Sequence, residues 1–178
     1  MHNTLLSSLL LLVPLAFADP LAPSFKLCNI IYNSSYIYST PAHYATGSGT
    51  VSFDLTNSYE PSQSIHCSAF SVREFNFFYG DSTYACDPVP GSPTTSTNFT
   101  FSASGAITVN QTFSFNGNYT PRTDTFLAYG NGTVPLVCDE EYKQTANWTL
   151  NSGQIYSVTS QTCQPADLTI PLTLVRTS

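Results

Sequence analysis

Charge is scarce in this chain. Asp, Glu, Lys and Arg make up 9% of its 178 residues, five strong bases against eleven carboxylates, for a net charge of −6. The bases Lys26, Arg73, Arg122, Lys143 and Arg176 are isolated from one another. No cationic face can form to track phosphates, so neither nucleic acid nor an anionic membrane is expected as a partner. Histidine is nearly as rare, with only His43 and His66 beyond the N-terminal segment. There is no Cys-x-x-Cys or Cys/His cluster for zinc and no Gly-x-Ser-x-Gly elbow for a serine nucleophile. No metal or cofactor is expected. After residue 18 no run is long and apolar enough to span a bilayer. Helical periodicity is almost missing. The exception is one candidate helical turn over residues 140–146, acidic at its start with Lys143 later.

The N-terminus holds the one long apolar run. Residues 5–15 are mostly leucine and are followed by Ala16-Phe17-Ala18. A short apolar stretch closed by small-x-small reads as a secretory signal peptide, residues 1–18, cleaved to leave Asp19. The remainder, residues 19–178, is the size of one domain. The expected location is outside the cell.

An oxidising compartment makes the cysteines Cys28, Cys67, Cys86, Cys138 and Cys163 disulfide candidates. We expect Cys67–Cys86 and Cys138–Cys163, each closing a loop of about 20–26 residues and worth ~3 kcal/mol. Cys28 is left over, either as an intermolecular bridge in a homodimer or as a free thiol; a different pairing with Cys28 inside is the other alternative. Sequons stand at Asn33, Asn98, Asn110, Asn118, Asn131 and Asn147. An occupied sequon must face solvent, so each is a topology marker.

The chain is organised around residues 106–138. Ile107, Val109, Gln111, Phe113 and Phe115 fall on one side of an extended chain, and Thr108, Asn110, Thr112 and Ser114 on the other. A period of two in β-branched and aromatic residues is a strand with one buried face. Gly130-Asn131-Gly132 reads as a turn into a further strand ending at Cys138, and Asn116-Gly117-Asn118 as a hairpin signal. Upstream, residues 25–38 read as one or two strands broken at Asn33-Ser34-Ser35. Val51, Phe53 and Leu55 mark another, followed by residues 65–79. Residues 87–97, with Pro88, Pro90, Gly91 and Pro93, form the longest loop. Leu168, Ile170, Leu172 and Leu174 read as a last edge strand, with Pro171 on its far face. About ten short strands, with turn signals every ten or so residues, specify an all-β fold. That fold is a single antiparallel β-barrel or β-sandwich stapled by disulfides.

Catalytic constellations are thin. Asp139, Glu140 and Glu141 could supply carboxylates for a small extracellular hydrolase, but in a strand neighbours point to opposite faces, and a solvated charged segment is the plainer reading. The tyrosines Tyr32, Tyr36, Tyr38, Tyr44, Tyr59, Tyr79 and Tyr84, with others, could stack on sugars or other planar ligands. They serve equally as cross-strand partners.

The segments TGSGTVSFDL (46–55), ITVNQTF (107–113) and TFLAYGNGTVPLVC (125–138) together resemble the secreted fungal proteins grouped with the major allergen of Alternaria, the AA1-like family. In that family a Gln-x-Trp-x-Cys strand precedes a Phe-x-Ala-x-Gly segment; here Phe113 and Phe115 stand at the Trp and Cys positions. The resemblance implies a small disulfide-bonded β-barrel, secreted by filamentous fungi and without established enzymatic activity. Such proteins are discussed as allergens or as effectors that meet a host protein or other extracellular ligand. It carries over no catalytic residue. A wall-associated protein that binds carbohydrate remains the alternative.

Overall fold

A computed structural model describes residues 22–41, 45–74, 77–89, 95–116 and 123–177. The expected signal peptide, His43, Tyr44, Asn118, the Asn116–Asn118 turn and the centre of the 87–97 loop lie wholly or partly outside them.

Eleven strands and no helix occupy the described residues. In chain order they are β1 (Ser24–Tyr38), β2 (Ala45–Asn57), β3 (Glu60–Glu74), β4 (Tyr79–Ala85), β5 (Ser96–Ser102), β6 (Ala106–Asn116), β7 (Thr123–Thr133), β8 (Cys138–Gln144), β9 (Ser157–Cys163), β10 (Ala166–Pro171) and β11 (Thr173–Arg176). They form a six-stranded sheet in the order β3-β2-β1-β9-β8, with β10 also on β1, and a five-stranded sheet in the order β11-β7-β6-β5-β4. Both sheets are antiparallel throughout.

The chain is therefore a sandwich, not a closed barrel. Closure would need a partner for the free edge of β8, and every β8 residue after Cys138 is exposed. The sheets meet instead at two corners. At one, the Cys67–Cys86 disulfide ties β3 to the residue after β4, and the Asp87 amide donates to the His66 carbonyl at 2.8 Å. At the other, the final strand divides at Leu172, leaving β10 on the six-stranded sheet and β11 on the five-stranded one. The single edge strand expected over residues 168–174 is thus two strands in different sheets.

The core is an aromatic seam. Phe53 of β2 meets Phe99 of β5 edge-on, with ring centres 5.0 Å apart, and Tyr32 of β1 meets Phe101 of β5 at 5.5 Å. Such offset and edge contacts add to the gain from area burial. On β6, Ile107, Val109, Gln111 and Phe113 are all buried, and the alternate residues face outward.

Three local expectations are corrected. Gly130-Asn131-Gly132 is not a turn, because β7 runs straight through it. The glycines are needed because β10 crosses there: a Cβ on Gly130 would lie 2.6 Å from the Pro171 carbonyl oxygen. Asn33-Ser34-Ser35 does not break β1. Both its edges are paired, Asn33 to Thr50 and to Thr162. The irregularity in β1 lies earlier, a bulge between Cys28 and Ile31 with Asn29 at φ 53° and its amide held by the Asp167 carboxylate at 2.8 Å. Finally, residues 140–144 are strand, not helix. Pairing to β9, anchored by the Cys138–Cys163 disulfide, overrides the weak local preference.

Candidate binding face on the disulfide-tied hairpin

The six-stranded sheet reaches beyond the five-stranded one at its β8–β9 end. Among the described residues β9 packs chiefly on β1 and β8. Tyr36 and Ser157 are covered, and the inner face opens toward β8, where Tyr142 and Gln144 are exposed. Cross-strand register fills that face with aromatic and hydroxyl groups. Tyr36, Thr159 and Tyr142 stand in one row, and Tyr38, Ser157 and Gln144 in the next. Directly paired residues share a face, so all six project the same way.

The connection between β8 and β9 completes the surface. Its path is fixed by turn chemistry, with Asn147 at φ 56°, Asn151 at φ 69° and Gly153 at φ 71°, all in the left-handed region those residues tolerate. Thr145 bonds the loop closed, its amide to the Tyr156 carbonyl at 2.9 Å and its hydroxyl to the Ile155 carbonyl at 2.6 Å. The Tyr156 amide donates to the Tyr38 carbonyl at 2.8 Å, which pins the loop to β1. Trp148 donates its indole N–H to the Gln154 carbonyl at 2.9 Å and packs edge-on against Tyr156, with ring centres 5.6 Å apart.

A hydrogen-bonded rail runs along the rim. The Tyr142 hydroxyl donates to Gln144 Oε1 at 3.2 Å, and Gln144 Nε2 donates to the Tyr156 hydroxyl at 3.0 Å. The rail leaves spare acceptor capacity on Tyr142 and a free O–H donor on Tyr156. The resulting depression holds about 370 Å³ and is lined by Tyr38, Thr40, Pro41, Tyr142, Tyr156, Ser157 and Thr159. A second hollow of about 280 Å³ shares Thr40 and runs on past Trp148, Leu150 and Ile155. Neither lining contains Asp, Glu, Lys, Arg or His among the described residues. At the inner end of the face, burial first, and then the neighbouring Tyr38 and Tyr79, push the Tyr36 phenol above its usual range, so it stays neutral.

The acids lie elsewhere. Asp139 and Glu141 project from the opposite face of β8, where Glu141 pairs with Lys143 at 2.9 Å, while Glu140 alone shares the aromatic side. No pair of these carboxylates converges across a cleft. A second arrangement invites comparison with a nucleophilic triad. Cys28, Asp54 and His66 occupy one cross-strand row on the outer face of the six-stranded sheet, with His66 Nδ1 3.0 Å from Asp54 Oδ1. The acid sits in the middle. Strand spacing puts the imidazole about 10 Å from the thiol, beyond reach of its proton. Asp81, held below the usual carboxylate range by its hydrogen bond to Arg73, belongs to a surface pair that also places Arg73 over the Tyr79 ring.

The remaining marked residues are placed as follows. Cys67 is bonded to Cys86, Cys138 to Cys163, and Cys28 carries a free, half-buried thiol. Asn98, Asn110 and Asn131 all project from the outer face of the five-stranded sheet, Asn33 from the outer face of the other, and Asn147 is exposed in the β8–β9 loop. Of the tyrosines singled out from sequence, Tyr32 and Tyr84 pack against Phe101 and Phe99, and Tyr38 belongs to the open face. Tyr142, Trp148 and Tyr156 were not singled out. A signal was present: all three lie inside the segment that Cys138 and Cys163 enclose.

A family model described as Alternaria alternata allergen 1 matches residues 32–163, which takes in β8, β9 and the second half of β1. Searches of curated proteins and of solved structures returned no match.

Proposed function

The chain belongs to the family of Alternaria alternata allergen 1, and from that premise we propose that it works outside the cell by binding, without catalysing a reaction. The observation that carries this reading is the open face of the β8–β9 hairpin. It is concave and aromatic, its lining carries no charged side chain among the described residues, a hydrogen-bonded rail spans its rim, and a disulfide ties the far end of the hairpin. That is the composition of a recognition site, whereas acid–base or nucleophilic chemistry needs convergent titratable groups. The two disulfides fit an oxidising compartment. The extracellular ligand of an allergen-like or effector-like protein would dock on this face.

Expression of the full chain in a secreting eukaryotic host tests the reading. The expected product is oxidised protein in the medium, beginning at Asp19 and inert toward a panel of polysaccharides, esters and peptides. Turnover lost on Glu140→Gln or His66→Ala would overturn it.

A second element of the proposal concerns assembly. The half-buried Cys28 thiol lies beside Lys26 and Pro61 in an outward-facing hollow, available for a bridge between two copies of the chain. A dimer on a non-reducing gel that collapses to monomer in Cys28→Ser is the expected result; secreted protein that is wholly monomeric rejects the bridge.

A further inference from the structure

We infer that the β8–β9 face is a subsite for a neutral carbohydrate chain, with Tyr142 and Tyr156 as the stacking platform and Gln144 and Thr159 as the hydroxyl-reading groups. The inference rests on the binding role proposed above and names the ligand class of that same face.

Three features of the surface select sugar chemistry. The first is the mixture of ring faces and small polar groups. A pyranose has one face of C–H bonds and a rim of hydroxyls, so it needs an aromatic platform beside fixed donors and acceptors. Tyr38, Tyr142 and Tyr156 supply rings, and Thr159 supplies a hydroxyl. The second is the Tyr142–Gln144–Tyr156 rail, with links of 3.2 and 3.0 Å. It sets an acceptor and a donor at fixed separation along the rim, the pattern that neighbouring hydroxyls of a sugar satisfy. Because the rail is already made in the free protein, little ordering entropy is lost on binding. The third is the absence of charge from both linings among the described residues, with Glu140 on the same side of β8, which disfavours acidic saccharides and phosphates.

The two hollows meet at Thr40 and together hold more than one residue of a chain, which favours an oligosaccharide over a monosaccharide. Tyr142 is 56% exposed, so it is available to a ligand without any rearrangement of the core.

The experiment is titration calorimetry on the secreted, oxidised chain after enzymatic removal of its N-glycans, so that a glycan at Asn147 cannot occupy the groove. The probes are the hexamers of β-1,4-linked N-acetylglucosamine, β-1,4-glucose, β-1,3-glucose and α-1,6-mannose, with a proline-rich decapeptide as the competing aromatic-groove ligand. Saturable binding of at least one saccharide is expected. Tyr142→Ala and Tyr156→Ala should each weaken it by about fivefold or more, the scale of losing an aromatic anchor. Gln144→Ala should weaken it less, and Tyr129→Ala, on an exposed tyrosine of the other sheet, should leave it unchanged. Unaltered thermal unfolding of Tyr142→Ala excludes a folding effect. No saccharide binding at millimolar concentration, binding indifferent to Tyr142→Ala and Tyr156→Ala, or binding of the decapeptide alone would overturn the inference while leaving a non-catalytic binding role standing. Consumption of a probe would instead sink the binding role itself.

Discussion

Asn57, the last residue of β2, donates its side-chain amide to Gln111 Oε1 at 2.7 Å in the buried space between the sheets, joining β2 of one sheet to β6 of the other. Gln111 in turn donates to the Thr97 hydroxyl at 3.1 Å, and the Tyr59 amide donates to Asn57 Oδ1 at 2.9 Å. Gln111 is 2% exposed, so this is a buried polar chain whose members satisfy one another. Gln111→Leu strands the Asn57 amide and should cost about 1–3 kcal/mol. Asn57→Leu combined with Gln111→Leu should cost less than the two single changes added together, because each single change already loses the shared bond. Urea unfolding of the three variants measures both quantities.

Gly130→Ala puts a methyl group 2.6 Å from the Pro171 carbonyl oxygen and 2.9 Å from an Ile170 methyl. The crossing strand must then lift away from β7. A loss of about 1–3 kcal/mol is expected, typical of overpacking. Amide exchange should speed up most in β10 and β11. Gly153→Ala meets no atom within 4 Å and strains only its own φ of 71°, so its effect should stay confined to the β8–β9 loop.

Asn98 and Asn110 are direct cross-strand partners on the outer face of the five-stranded sheet, their side chains 3.5 Å apart. Two branched glycans cannot both leave from points about 5 Å apart without crowding. Glycopeptide mass spectrometry of the secreted chain should therefore find at most one of the two occupied on any molecule. Asn110→Gln should raise occupancy at Asn98.

Burial, partly offset by a hydrogen bond to Ser34, raises the Tyr32 phenol above its ordinary value near 10. Folding holds the phenol neutral and unfolding frees it to ionise. The associated stability is complete below pH 10 and is lost as the pH climbs through the folded value. Denaturation midpoints between pH 8 and 11.5 should fall less steeply for Tyr32→Phe than for the unaltered chain.

What could be read from the sequence was what depends on nearest neighbours. The period of two over Ile107, Val109, Gln111 and Phe113 reports where side chains point, and it placed the core face of β6 correctly, Gln111 included. What could not be read depends on distant contacts. Gly130-Asn131-Gly132 has the composition of a turn, yet those glycines answer to Ile170 and Pro171, which the local sequence cannot reveal. The leucine alternation from Leu168 to Leu174 is continuous, so nothing in it marks Leu172 as the point where the chain changes sheets. That crossing, with the edge of β8 unpaired among the described residues, is what makes a sandwich where the family resemblance implied a barrel.

The position of the proposed binding face was not legible in the sequence. An excess of tyrosine pointed to aromatic surfaces, but the same residue type fills the core at Tyr32 and rims the groove at Tyr142. Only the register of β1, β9 and β8 separates the two roles, and that register is set by a disulfide and by pairing over more than a hundred residues of intervening chain.

The central claim is that this chain recognises a ligand on the β8–β9 hairpin and leaves it chemically intact. Two-dimensional NMR of the labelled chain, recorded over days with the best-binding saccharide hexamer in the same tube, tests it most directly. The account predicts shift changes centred on Tyr38, Thr40, Tyr142, Gln144, Trp148, Tyr156 and Thr159, with the hexamer's own signals constant. Changes centred on the His66–Asp54 row, or the appearance of shortened saccharides, would contradict it.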